Sequence, residues 1–506
     1  MSAPAVSHTP QAFTGNDKLL GGLVLSIVSY WLFAISLGTV APTVMLNVNG
    51  PYDNEAAKTW LDPLLSPTAM NLAVALTGLV SGLFIVLMGG LADRHGRVKL
   101  TLVGNALNVV GCLLIVFAAG SMAAPLLIAG RAIQGLSAAC VMPATIAMVK
   151  AYWDGPGRQR AVSMWSIGSF GGAGLAAFVG GLTATTLGWR WIFIFSIIVS
   201  VIAALLVWGT PESKVPPAPG HKRFDFAGLG IFLVMMLALM MLLTFGGKTF
   251  GWLSVTGLIM IAIFIVGMIV FIMVERGRDN AFIDFGLFKN MNFTGTVAAN
   301  FAINSTLGLL IVSQQLLARD ERVGPLMAGA LTLGYPIMLI LFIRAGEKLL
   351  QRFGPRKPMI WGALLVALAA ALLMPTNLLL SQYRILAVIA YICFGLGLAF
   401  FATPATDACL TSLPPERAGS GMGIFKMASS LGGAIGTAVA LSLFLGFSQA
   451  GDSAHVIGDV IHMTGRQDNL AIREGAMIAI GSMLVFALIA ALVAAIAVPK
   501  GKKQDA

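Results

Sequence analysis

Long apolar runs, each closed by a short polar or glycine-bearing turn, follow one another along almost the whole chain. A helix needs about 20 apolar residues to cross the hydrocarbon core of a bilayer. Runs of that kind fall at 19–44, 68–91, 100–120, 125–149, 161–186, 190–209, 225–246 and 252–274, and again at 291–316, 325–346, 358–378, 385–411, 418–446 and 475–498. The pattern predicts an all-α membrane protein with fourteen transmembrane helices. Segment 48–66 is a long polar break between the first two runs.

Composition agrees with this reading. The chain is 58% hydrophobic and 10% charged, with a mean hydropathy of +0.88, whereas a soluble domain carries roughly 25% charged residues. A formal net charge of +11 would otherwise point to nucleic acid, but the basic residues sit in short loops flanking apolar runs. They gather on alternate loops, including Arg94, Arg97, Lys99, Lys150, Arg158, Arg160, Arg352, Arg356 and Lys357. That bias places those loops, and both termini, in the cytosol. The first run is too long for a signal-peptide core, so it is expected to stay as an anchor. The four cysteines lie in apolar runs, and the five histidines are scattered. No Gly-x-x-x-x-Gly-Lys-Ser/Thr loop occurs, so this chain does not itself use ATP. Nothing in the pattern points to an enzyme, a metal or a cofactor.

The chain also repeats itself. Met142-Pro143-Ala144-Thr145 returns as Thr403-Pro404-Ala405-Thr406, and Ser169-Phe170-Gly171-Gly172-Ala173 as Ser430-Leu431-Gly432-Gly433-Ala434. The loop around Arg94 has a weaker echo in Gln351-Arg352-Phe353-Gly354-Pro355-Arg356-Lys357. These matches predict two six-helix bundles, 1–210 and 284–506, with a cytosolic linker and two additional helices in 211–283. The linker includes Pro216-Pro217-Ala218-Pro219-Gly220. Transporters built from repeats hold substrate between the halves and rock one half against the other.

Five groups of residues carry candidate chemistry. Gly89 to Lys99 is a tight charged turn between two spans. Gly89 permits close packing, Gly96 the turn itself, and Asp93 can meet the positive amino-terminal end of a helix in the other half, near Ala418-Gly419-Ser420. Arg94 and Arg97 would complete that cytosolic latch. Arg131 lies inside a span, where a bare charge costs on the order of 2.5–3.5 kcal/mol; it either faces a cavity or a partner or snorkels to the outer interface. Gly171, Gly172, Gly174, Gly180 and Gly181 make the fifth span able to bend and pack closely. Asp407 and Lys426 each lie nine residues from the loop at Glu416-Arg417. At about 14 Å down two antiparallel helices, they should pair, either as a proton-coupling device or as a fixed structural pair. Tyr30, Trp31, Phe33, Gln134, Met142, Trp165, Phe170 and Phe425 are candidates to line an adaptable cavity.

With those residues in place, the chain resembles the fourteen-helix drug:proton antiporter family of the major facilitator superfamily, and within it the quinolone exporters. The resemblance is carried by Trp31-Leu32-Phe33-Ala34, Gly90 to Lys99, Arg131 to Cys140, Arg158 to Gly172, Gly188-Trp189-Arg190, Thr406-Asp407 and Lys426 to Gly432. It implies a bacterial inner-membrane protein that expels amphipathic drugs and biocides in exchange for protons, without a cofactor and as a monomer among membrane lipids. It also links Arg131 to proton coupling. One departure stands out: the family's Gly-Pro-x-x-Gly-Gly reads Ala176-Ala177-Phe178-Val179-Gly180-Gly181 here. A transporter of a single metabolite in the same fold is the alternative that this departure leaves open.

Overall fold

The computed structural model describes residues 13–49, 65–213, 225–245, 251, 253–276, 285–318, 330–378, 380–448 and 470–500. The long break at 50–64 and the proline-rich linker at 216–220 lie outside them. Among the described residues the elements are helical throughout. In chain order they are α1 (Asp17–Val28), α2 (Ile35–Asn49), α3 (Pro67–His95), α4 (Arg97–Val116), α5 (Ala123–Tyr152), α6 (Gly155–Ser166), α7 (Gly172–Thr186) and α8 (Arg190–Val207). Then come α9 (Phe226–Phe245), α10 (Val255–Glu275), α11 (Met291–Ser305), α12 (Gly308–Ala318) and α13 (Gly334–Phe353). The last four are α14 (Arg356–Leu373), α15 (Leu380–Ser412), α16 (Ala418–Ser448) and α17 (Leu470–Ala497).

Eleven of the described helices are long and apolar enough to span a bilayer, twelve if the bent pair in the fifth span is one. Helices α9 and α13 fall on the remaining two predicted runs, so the set is consistent with fourteen. The run expected at 325–346 begins later: α13 starts at Gly334 and carries Arg344, Glu347, Lys348 and Arg352 within it. Its period explains the extension. Leu339, Ile343, Gly346, Glu347 and Leu350 are buried on one face, while Arg344 and Lys348 are exposed on the other.

Local chemistry sets the boundaries. Asn16, Ser66 and Ser254 each accept a hydrogen bond from the backbone N–H three residues on, capping α1, α3 and α10. Gly96 (φ 121°) and Gly354 (φ 72°) reverse the chain between α3 and α4 and between α13 and α14. They are the two copies of the repeated basic turn. The repeat also shows in Pro143 and Pro404, each inside its helix.

Helices α1–α8 pack mainly on one another, as do α11–α17, and the two groups meet chiefly through α3 against α16. Helices α9 and α10 pack on each other, and α9 leans on α3 and α16. Large apolar side chains stay uncovered on the outside, among them Leu205, Trp208, Val255, Ile269 and Met273. In water that surface would be a liability; in lipid it is the outer wall.

Candidate functional site

The turn at Gly89–Lys99 meets the other group of helices directly. Asp93 Oδ1 accepts from the Gly419 N–H at 2.9 Å and Oδ2 from the Ser420 N–H at 3.0 Å. The carboxylate thus caps the first turn of α16, where the helix leaves its N–H groups free and its dipole is positive. Gly89 and Gly419 make the approach possible. A Cβ on Gly419 would lie 2.5 Å from the Gly89 carbonyl oxygen, and one on Gly89 would collide with the Gly419 carbonyl in turn. Arg97, 4% exposed, closes the arrangement. It holds Asp93 Oδ1 at 2.8 Å and donates to the Pro415 carbonyl at 2.7 Å. Arg94 is exposed.

Further contacts at this basic end join the groups. Lys150 Nζ donates to the carbonyls of Leu410 and Leu413, placing a cation at the carboxy-terminal end of α15. Arg158 Nε donates to Asp407 Oδ1 at 3.1 Å. The segment after α8 braces the turn from the side. Glu212 accepts from the N–H groups of Val98 (2.9 Å) and Lys99 (3.0 Å), and Ser213 Oγ accepts from Arg97 at 3.1 Å. A Cβ on Gly96 would lie 2.5 Å from Glu212 Cδ, so a side chain there would displace that carboxylate.

The expected Asp407–Lys426 pair does not form. Equal depth places two residues at one height but says nothing of the direction each faces. Helices α15 and α16, although consecutive, make little contact. Asp407 faces α6 and takes Arg158 as its partner. Lys426 is 2% exposed, and its Nζ lies 4.3 Å from the centroid of the Trp165 ring, 5.2 Å from Phe170 and 5.9 Å from Phe425.

Lys426 is part of the wall of a central cavity of about 220 Å³, with Trp31, Ser169, Phe170, Asn304, Tyr335 and Ser429 among its neighbours there. Of the aromatic and polar candidates, Trp31 and Phe170 line it. Met142 and Phe425 are buried in the main core, and Phe33 packs with Leu37 and Val40 in a second apolar cluster. Trp165 is fully buried, its Nε1 donating to Thr145 Oγ1 at 2.9 Å while its ring lies beneath Lys426. Tyr30 stacks edge-on against Trp31 and is not on the wall. Gln134 sits in a polar cluster within α1–α8, accepting from Arg131 at 2.8 Å.

Arg131 does not reach the outer interface. Its guanidinium is buried and donates to the carbonyls of Ala73 (3.0 Å) and Ala34 (2.7 Å). It ties α3 to the end of a π-helical turn, Ser29–Ala34. A second π-helical turn, Ile167–Gly171, interrupts the fifth span, and the two lie side by side, supplying Trp31, Ser169 and Phe170 to the cavity. Beyond it the fifth span bends by 54° between Ala176 and Phe178. At the bend, Ser36 Oγ lies 2.7 Å from the Ala176 carbonyl and the Ser36 side chain packs against Gly180. Gly171 and Gly174 let Ile340 and Pro336 of α13 come close, and Gly172 does so for Trp31. Gly181 faces open space.

From sequence, Lys150 and Arg158 stand only as loop cations, and Glu212 is not named. Arg158 had a signal: Gly155 (φ 51°) and Pro156 start α6 there, which lifts Arg158 out of the loop into the first helical turn.

Residues 19–437 match the sequence profile of the family described as Major Facilitator Superfamily. The Quinolone resistance protein NorB of Staphylococcus aureus strain MRSA252 is 45% identical over 434 residues, 86% of this chain and 89% of the relative. NorB of strain JH9 gives the same figures. Among solved structures, the human organic anion transporter MFSD10 superposes with a TM-score of 0.61 at 14% identity, covering 94% of this chain and 98% of that one. The proton:xylose symporter XylE bound to 6-bromo-6-deoxy-D-glucose gives 0.58 at 14% identity, over 93% and 94%.

Proposed function

This chain belongs to the Major Facilitator Superfamily, transporters and not enzymes, and from that premise we propose that it is a proton-coupled multidrug antiporter. It exports amphipathic drugs such as fluoroquinolones and biocides across the bacterial cytoplasmic membrane. Similarity to NorB supports the substrate range. In this reading, bundles 1–210 and 284–506 rock about the central cavity, both termini are cytosolic, and helices α9 and α10 flank the seam. The chain works as a monomer among lipids, uses no cofactor and draws its energy from the proton gradient.

The observation that carries the proposal is the Arg158–Asp407 bridge. It joins a carboxylate of one bundle to a guanidinium of the other, with the side chains only 7% and 17% exposed. Protonating Asp407 removes the charge that holds Arg158 and so loosens α15 from α6. Loading a proton and parting the bundles become one event. Arg158 is the counter-ion, while Arg131 serves coupling indirectly, by tying α3 to the end of the π-helical turn, and Lys426 does so as the charge on the cavity wall. The contacts of Asp93, Arg97 and Lys150 act together with the bridge as the latch that keeps the cytosolic end shut.

The test is transport in proteoliposomes with an imposed pH gradient and a panel of fluoroquinolones, biocides and single metabolites. Uptake of several drugs with counterflow of protons is the expected result. Transport of one metabolite alone, or drug transport indifferent to the gradient, would overturn the reading.

A further inference from the structure

Two donors on the wall of the central cavity, those of Lys426 and Trp31, have no acceptor among the described residues. Lys426 is on its wall, is 2% exposed, and has no hydrogen-bond or ion-pair partner among the described residues. An ammonium donates three hydrogen bonds and accepts none. The faces of Trp165, Phe170 and Phe425 return part of what burial takes from it, but a ring face supplies no lone pair. Trp31, on the same wall, has a buried indole N–H with no acceptor. No aspartate or glutamate lines the cavity among the described residues. The nearest candidate from sequence, Asp407, is committed to Arg158. The rest of the wall is largely apolar, with Phe170, Ile303, Leu307 and Leu398.

A ligand that satisfies these donors brings an anionic acceptor on an apolar body. We propose that Lys426 is the anion-recognition residue of the cavity, and that the preferred substrates are aromatic amphiphiles carrying a carboxylate, as free acids or zwitterions. This rests on the drug-efflux reading and narrows it. A buried ammonium attracts a carboxylate through a charge-assisted hydrogen bond and repels a permanent cation, so it selects by both attraction and exclusion.

The test measures equilibrium binding to the purified full-length protein for ciprofloxacin, its methyl ester and tetraphenylphosphonium. The wild type is expected to bind the acid about tenfold or more tightly than the ester, as befits one charged hydrogen bond. Lys426→Met should bring that ratio to about one and tighten tetraphenylphosphonium binding, whereas Lys426→Arg should keep the acid preferred. If Lys426→Met does not yield monodisperse protein, the wild-type ratio and Lys426→Arg decide. Equal binding of acid and ester by the wild type, or an unchanged ratio in Lys426→Met, overturns this assignment and leaves drug efflux standing. A wild type that binds none of the three and transports no drug overturns both.

Discussion

Arg158, in the first turn of α6, and Asp407, late in α15, form an ion pair at 3.1 Å that crosses from one group of helices to the other. Neither residue is where its charge is free. Asp407 is 5% exposed, and Arg158 lies in a helix that packs against the other group.

Asp407→Asn should abolish the response of drug transport to a pH gradient while the protein still reaches the membrane. The amide keeps the shape and one acceptor but cannot exchange a proton. Proteoliposome flux with and without the gradient is the measurement. Gradient-driven efflux at the wild-type rate would remove Asp407 from the coupling mechanism.

Asp93→Ala should slow turnover about tenfold and leave drug affinity within about twofold, because the lost caps on Gly419 and Ser420 belong to one conformation and touch no substrate. A helix cap contributes typically about 1 kcal/mol, and Asp93 supplies two N–H partners here. Comparing turnover with equilibrium binding separates the two effects. Equal losses in both would mean that the carboxylate supports the fold and not the conformational cycle.

Gly96→Ala should lower thermal stability by about 1–3 kcal/mol through its φ of 121° and by displacing Glu212 from Val98 and Lys99. Glu212→Ala removes the same cap by another route. The double variant should therefore be less destabilised than the sum of the singles. Melting curves of the three purified variants give the answer; strict additivity would show that Gly96 and Glu212 act apart.

The Asp93–Gly419 contact was legible because its parts are local: a glycine-bearing turn, a carboxylate and the start of a helix in the repeated half. Asp407 and Lys426 were legible as buried charges, yet their partners were not. Counting residues from a loop gives depth along a helix, but direction around the axis depends on which helices touch, and α15 and α16 barely do. The aromatic candidates show the same limit. Phe33 and Met142 have the chemistry of a cavity wall, but packing decides which apolar side chains face a void and which fill the core. The π-helical turns at Ser29–Ala34 and Ile167–Gly171 contain no proline and left no mark in the hydrophobic pattern.

A double-mutant cycle distinguishes the observed pairing from the one that depth alone suggested. Arg158→Gln strands Asp407 in a nearly dry site, so it should cost about 3 kcal/mol or more. Asp407→Asn should cost less, since the Arg158 side chain is 17% exposed and can recruit water. Combining the two should recover roughly 1–3 kcal/mol relative to the sum, because the double variant leaves no unpaired charge. The parallel cycle with Asp407→Asn and Lys426→Met should be additive within about 0.5 kcal/mol, as the two side chains share no partner. Thermal or denaturant unfolding of the purified proteins supplies both cycles. Coupling in the second and additivity in the first would restore the Asp407–Lys426 pair and take away the bridge on which the proposed proton cycle depends.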